Sequence, residues 1–254
     1  MKNFGTMFAK EIKEYLRTYK IFVVPGLFLL FGLTSPIITK LLPSLLGSLA
    51  EEINIILPEM TWIDSYGQFF KNLNQMGIVA IILTTMGTIA EERNRSIAQL
   101  VLTKPVSRTS YVLSKYVANL LLITLSSILA FFAAWFYTDV LFTGTIFLNG
   151  LGATGVYIVY LAVILALIIL ASAMTKSAIA AGGLTVLGLV IFNLLPLFSK
   201  ALSKYSPAVL TDYIYQVAGG TAVSSEVCGA IAFAAGTIII LLATASLLFS
   251  RKEL

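Results

Sequence analysis

The residues best placed to do chemistry lie in one short run, Glu91 to Arg108, EERNRSIAQLVLTKPVSR. Glu91, Glu92, Arg93, Arg95, Lys104 and Arg108 concentrate charge of both signs between two long apolar stretches. Their chemistry is pairing and docking rather than catalysis. The chain has no histidine, which removes imidazole metal ligands and every histidine general base. Its aspartates, Asp64, Asp139 and Asp212, fall in predicted loops rather than in facing apolar segments, and no P-loop sequence for nucleotide phosphates occurs. Inside the charged run, Ile97, Leu100 and Val101 recur at i, i+3 and i+4, one apolar face of a helix. Pro105 and Ser107 then punctuate the run. The pattern predicts a short amphipathic helix held at a membrane surface, a shape suited to docking a soluble partner.

The elements that must position this run are membrane spans. The 254-residue chain is 58% hydrophobic and only 11% charged, with a mean hydropathy of +0.94. A soluble domain carries about 25% charged residues, and a helix needs about 20 mostly apolar residues to cross the hydrocarbon. Six stretches qualify: 21–41, 71–90, 116–138, 152–175, 177–198 and 227–249. Pro25 and Pro36 in the first predict a kink rather than a break, because membrane helices tolerate proline where neighbours satisfy the freed backbone groups. Small residues in the fifth, Ala178, Ala180, Ala181, Gly182, Gly183 and Gly188, predict close helix approach within the bundle or at a subunit contact. One cysteine, Cys228, allows no intrachain disulfide.

Charge sets the expected orientation. Lys2, Lys10, Lys13, Arg17 and Lys20 precede the first span, while Arg93, Arg95, Lys104, Arg108 and Lys115 surround the second connection. Lys176 and the tail residues Arg251 and Lys252 fall on the same side, whereas Glu51, Glu52, Glu59, Asp64 and Asp139 fall on the other, where Lys200 and Lys204 are a modest exception. The positive-inside rule places both termini in the cytoplasm and assigns the net charge of +5 to loop bias, with no nucleic-acid partner. Residues 4–20 carry an apolar stripe of Phe4, Met7, Phe8, Ile12, Tyr15, Leu16 and Tyr19, with lysines, Arg17, Glu11 and Glu14 expected opposite. That is the pattern of a helix lying in the membrane interface among lipids, with Phe4, Phe8, Ile12 and Leu16 as its membrane face. The connection 199–226 has Val209, Leu210, Tyr213, Ile214 and Val217 at near-helical spacing, and the connection 42–70 is similarly semi-apolar. Both are expected to roof the outer face. The span centres carry almost no ionisable residue, which disfavours a proton-coupled or charged pathway.

The Glu91–Arg108 run resembles the loop between the second and third spans of ABC-2 type transporter permeases. Glu91, Glu92 and Arg93 match that loop's opening, Leu100, Val101 and Leu102 its apolar turn, and Pro105, Val106, Ser107 and Arg108 its close. Lys115 matches a basic residue at the entry to the next span, whereas Ser96 and Ile97 stand where a Gly-Thr pair is usual. The resemblance extends to the whole architecture: a single all-α membrane domain over 1–254, with an N-terminal elbow helix over 1–20, six spans, a coupling-helix loop over 91–108 and a re-entrant-like external connection over 199–226. It implies a permease subunit without ATPase activity. Two such subunits, identical or different, would sit on two copies of an ABC ATPase subunit that binds ATP and magnesium. Closure of the ATPase pair would push on Glu91–Lys104 and drive export of a hydrophobic or amphipathic peptide, lipid or drug. No cofactor or metal would bind this chain directly, and the location would be the bacterial plasma membrane. Two other readings compete, a membrane-embedded lipid-modifying enzyme and a non-transporting scaffold or immunity protein.

Overall fold

A computed structural model describes residues 4–49, 59–94, 107–199 and 202–251. All regular elements among these residues are helices. Helix α1 (Phe4–Arg17) precedes six helices long and apolar enough to cross a membrane, the chief signature of a multi-pass membrane protein. The first two are α2 (Lys20–Leu49) and α3 (Trp62–Asn94). Next come α4 (Arg108–Leu141), α5 (Phe147–Met174) and α6 (Ala178–Leu194). Short helices α7 (Leu202–Tyr205) and α8 (Leu210–Ala218) then lead into the last span, α9 (Ser224–Arg251). Alternating passes bring both termini to one end of the bundle, together with the 94–108 and 174–178 connections.

Five of the six spans run longer than the hydropathy pattern suggests, whereas α6 falls short of the expected 177–198, and for α3 and α4 the reason is local. Helix α3 begins at Trp62, not near residue 71, because Thr61 and Asp64 form a reciprocal capping box. The expected 42–70 loop therefore shrinks from both sides, since α2 also continues to Leu49. Helix α4 starts at Arg108, where the Ser107 hydroxyl accepts from the Ser110 backbone N–H. Lys115, counted above among connection charges, thus lies two turns inside a helix. Helix α2 continues through Pro25, Pro36 and Pro43 without a break.

At the centre stands α5, 83% of whose most apolar window is buried, against 17% for α6 and for α9. Tyr66, Phe69, Phe70 and Leu73 of α3 pack with Phe131 of α4 and Tyr157 of α5 in the core. Water drives no association between apolar helices in a bilayer, so close packing and interhelical hydrogen bonds must hold them. Gly32 of α2 lets the Ala130 carbonyl come so near that an added Cβ would stand 2.4 Å from its oxygen. Gly182 and Gly188 of α6 likewise make room for Met86 and Leu167, which places those small residues in packing within the chain. A π-helical turn at Leu73–Gly77 loosens α3, and the buried Tyr157 hydroxyl donates to the Leu73 carbonyl there at 3.0 Å. Ser65 and Thr138 share a 2.7 Å hydroxyl bond between α3 and α4. The 199–226 connection contains α8, which lays Leu210, Tyr213 and Ile214 against the bundle at the end opposite the termini.

Candidate functional site

At the end of the bundle that carries the termini, α1, the last turn of α3 and the second turn of α4 converge on a buried ionic cluster. Its centre is Lys115, only 1% exposed, whose ammonium lies 3.0 Å from Glu11 Oε1 and 2.9 Å from Glu92 Oε1. Lys10 pairs with the same Glu92 oxygen and lies 3.1 Å from Glu11 and 3.3 Å from Glu14. The Tyr111 hydroxyl donates to the other Glu92 oxygen, Oε2. Both carboxylate oxygens of Glu92 are therefore engaged, by three side chains from two other helices. The Lys115 ammonium also sits over the Tyr111 ring, 5.1 Å from its centroid. Such a cluster is tolerable in a low-dielectric setting only when every charge is paired, because each ion gives up several kcal/mol of hydration.

Local sequence explains the convergence. Met7, Glu11 and Tyr15 recur every four residues and form the buried face of α1. Glu11 is 1% exposed, so it does not lie on the water-facing side expected for it. The apolar residues flanking it supply the buried surface, and the two lysines supply the charge that lets a carboxylate enter. Phe4 and Phe8 stack on one another with centroids 6.2 Å apart, half-buried like Ile12, whereas Leu16 is 63% exposed. Burial lowers the pKa of Lys10, but Glu11, Glu92 and Glu14 outweigh it and hold that pKa above the ordinary lysine value. A raised lysine pKa gives stability that is complete below the unfolded value and is lost only as pH climbs through the folded one. Lys10 is thus charged throughout the neutral range.

The base of the charged run is pinned on a second side by α5. Ser172 Oγ accepts from the backbone N–H groups of Ile89 and Ala90, each at 3.0 Å, and donates to the Met86 carbonyl at 2.9 Å. Arg93 Nη1 donates to the Ala173 carbonyl at 3.2 Å. Glu91 is exposed and folds over Gly87. At the far end of the run, Arg108 Nη1 donates to the carbonyls of Ser250 at 2.7 Å and Phe249 at 3.2 Å. Phe249 in turn stacks on Tyr111, with centroids 5.1 Å apart and planes 9° from parallel. Arg95, Ile97, Leu100, Val101, Lys104 and Pro105 lie outside the described residues.

Glu11, Glu14 and Glu92 come close enough together to suggest a metal centre. Lys10 contacts all three carboxylates, however, so an ammonium group already stands where a cation would bind. The paired carboxylates and ammonium groups of the cluster can bear load between helices. The sequence pattern marked Glu92 and Lys115 but missed the parts of Lys10, Glu11 and Tyr111. The available signal was Glu11 at four-residue spacing between Met7 and Tyr15, inside an apolar stripe.

The sequence profile of a family described as "Protein of unknown function (DUF2705)" matches residues 58–254. The chain belongs to this family. The match takes in Glu92, Tyr111 and Lys115 and begins after α1, so the DUF2705 region meets Lys10 and Glu11 across its own boundary. An uncharacterized transmembrane protein of Bacillus subtilis (strain 168), YxlG, is 24% identical over 145 residues. That stretch covers 56% of this chain and 56% of YxlG, so the chain spans a little over half of the curated relative it matches.

Proposed function

We propose that this chain is the permease subunit of an ABC exporter, with the 91–108 run as the element that a separate ATPase subunit moves. The observation that carries this reading is the buried keystone at the root of that run. Glu92 is tied to α1 through Lys10 and to α4 through Lys115 and Tyr111. The same turn is tied to α5 through Ser172 and Arg93. A push on the run therefore reaches the interfacial helix and two spans together, rather than bending a slack loop. The ABC-2-like order of residues around the run, the six apolar helices and the shared end of both termini support the same reading. In it, α1 is the elbow helix, 91–108 contains the coupling helix, and both termini face the cytoplasm. ATP and magnesium belong to the ATPase partner, two permease subunits pair, and the cargo is hydrophobic or amphipathic.

The test is co-expression of the chain with candidate ABC ATPase subunits from the same genome, pull-down through the permease, and ATP-driven efflux from liposomes. Recovery of one ATPase together with ATP-dependent efflux is expected; no recovered ATPase and no effect of ATP would reject the reading. Orientation is tested separately in a Cys228→Ser background, since Cys228 is exposed. Thr143→Cys and Lys176→Cys fall at exposed positions at opposite ends of the bundle. An impermeant thiol reagent should label the former on intact cells and the latter only after permeabilisation. The reverse pattern would put the run outside, away from any ATPase.

A further inference from the structure

Helix α3 carries a feature that the coupling reading does not use. Asp64, Gln68, Lys71, Asn72 and Gln75 recur at i, i+4, i+7, i+8 and i+11, a polar stripe on a helix whose opposite face is the aromatic core. The upper part of the stripe opens into a cavity of about 460 Å³ at the end of the bundle opposite the termini. Thr39 and Leu42 of α2 and Tyr215 of α8 close its sides, and Gly67 leaves its floor open, with nothing within 4 Å of an added Cβ. Two opposite charges face this cavity. Asp64 uses Oδ2 for its cap, accepting from the Thr61 N–H and hydroxyl at 2.8 Å each, while Oδ1 has no partner among the described residues. Lys71 makes no ion pair among the described residues.

The order of the charges is informative. Lys71 stands seven residues below Asp64, about 10 Å deeper along the helix at 1.5 Å per residue. Below Lys71 the exposed face turns apolar through Met76, Val79 and Leu83. Val79 and Leu83 then form one wall of a second, apolar cavity of about 330 Å³, closed by Ile179, Gly182, Gly183 and Val186 of α6. Read inward, one helix face thus presents an anion, a cation and an apolar slot. A phospholipid with an ethanolamine headgroup has the complementary order: an outermost ammonium, a phosphate beneath it, and acyl chains descending from there.

We propose that this face of α3 holds one ethanolamine phospholipid lengthwise, with its ammonium on Asp64, its phosphate on Lys71 and an acyl chain in the α3–α6 slot. A glycerol headgroup would satisfy Lys71 but bring no cation to Asp64. A choline headgroup carries the cation but no N–H to donate to the free carboxylate oxygen. Gln68 and Thr39, beside Asp64, add polar groups suited to a primary ammonium. The site needs no ATPase, so its test is independent of the function proposed above.

The test is native mass spectrometry of the delipidated full-length chain in detergent, titrated with phosphatidylethanolamine, phosphatidylglycerol and phosphatidylcholine of identical acyl chains. Retention of the ethanolamine lipid is expected to exceed that of the other two by about tenfold, the equivalent of one charge-assisted hydrogen bond. Asp64→Asn keeps a capping oxygen and should lower the ethanolamine lipid to the level of the glycerol lipid. Lys71→Gln should weaken all three lipids to a similar degree, since each carries the phosphate. Gly183→Leu adds a side chain in open space and should weaken all three lipids while preserving their ratio. Equal retention of the three lipids, or unchanged ethanolamine binding in Asp64→Asn and Lys71→Gln, would show annular lipid only and overturn the proposal.

Discussion

Lys115→Gln should destabilise the folded chain by about 3–5 kcal/mol, the usual consequence of removing one partner from a buried ion pair. The expectation follows from the charge count at the keystone. Two ammonium groups, from Lys10 and Lys115, already face three carboxylates, from Glu11, Glu14 and Glu92. Removing Lys115 leaves one ammonium, itself partly exposed, to neutralise three carboxylates, two of which are largely buried. Removing an acid moves the balance the other way, so Glu14→Gln, at a half-exposed position, should change stability by less than 1 kcal/mol. The double variant Glu11→Gln with Lys115→Met removes one charge of each sign and should recover much of the loss, because well-packed apolar groups can replace a buried pair at little cost. Thermal unfolding in detergent, followed by the fraction that remains monodisperse, measures all three. A Lys115→Gln midpoint equal to wild type would mean that the cluster is solvated and carries no load.

How far the sequence foretold this site depended on the physical signal each part sends. Apolar runs of span length are unambiguous, and all six correspond to helices in the structure. Helix starts are less legible, because a capping box such as Thr61–Asp64 lies within a semi-apolar stretch and lengthens the helix by about two and a half turns beyond the hydropathy signal. The ionic cluster was least legible. Its members are 82 and 104 residues apart along the chain, and a charged side chain counts as a polar position in any periodicity argument until its partner is known. Glu11 reads as water-facing for that reason, yet it lies between Met7 and Tyr15 on the buried face of α1. The polar stripe of α3 was obscured in the same way. Hydropathy puts Asp64 in an outer loop and residue 71 at the start of a span, although Asp64 and Lys71 share one helix face and one cavity.

The largest functional effect is expected from Leu100→Asp. The i, i+3, i+4 spacing of Ile97, Leu100 and Val101 predicts one apolar helix side within the 91–108 run, the side that a soluble partner would cover. An aspartate there would be buried without a counter-ion in the complex, which is strongly unfavourable. A penalty of about 3 kcal/mol corresponds to a loss in affinity of roughly a hundredfold. The keystone residues Glu92, Lys115, Lys10 and Tyr111 are untouched by this change, as are all six apolar helices, so thermal stability and membrane insertion should stay at wild-type values. Co-expressed with the ATPase subunit proposed above, the variant should recover little of that subunit in a pull-down, or recover it with ATP-driven efflux abolished. Glu92→Gln should behave differently. It keeps the apolar docking side but cuts the ties to α1 and α4, so the ATPase should still bind while hydrolysis no longer produces efflux. Separate failure of docking in one variant and of transmission in the other would divide the run into a surface that is gripped and a root that is driven. Wild-type recovery and efflux in both variants would remove the run from the coupling path.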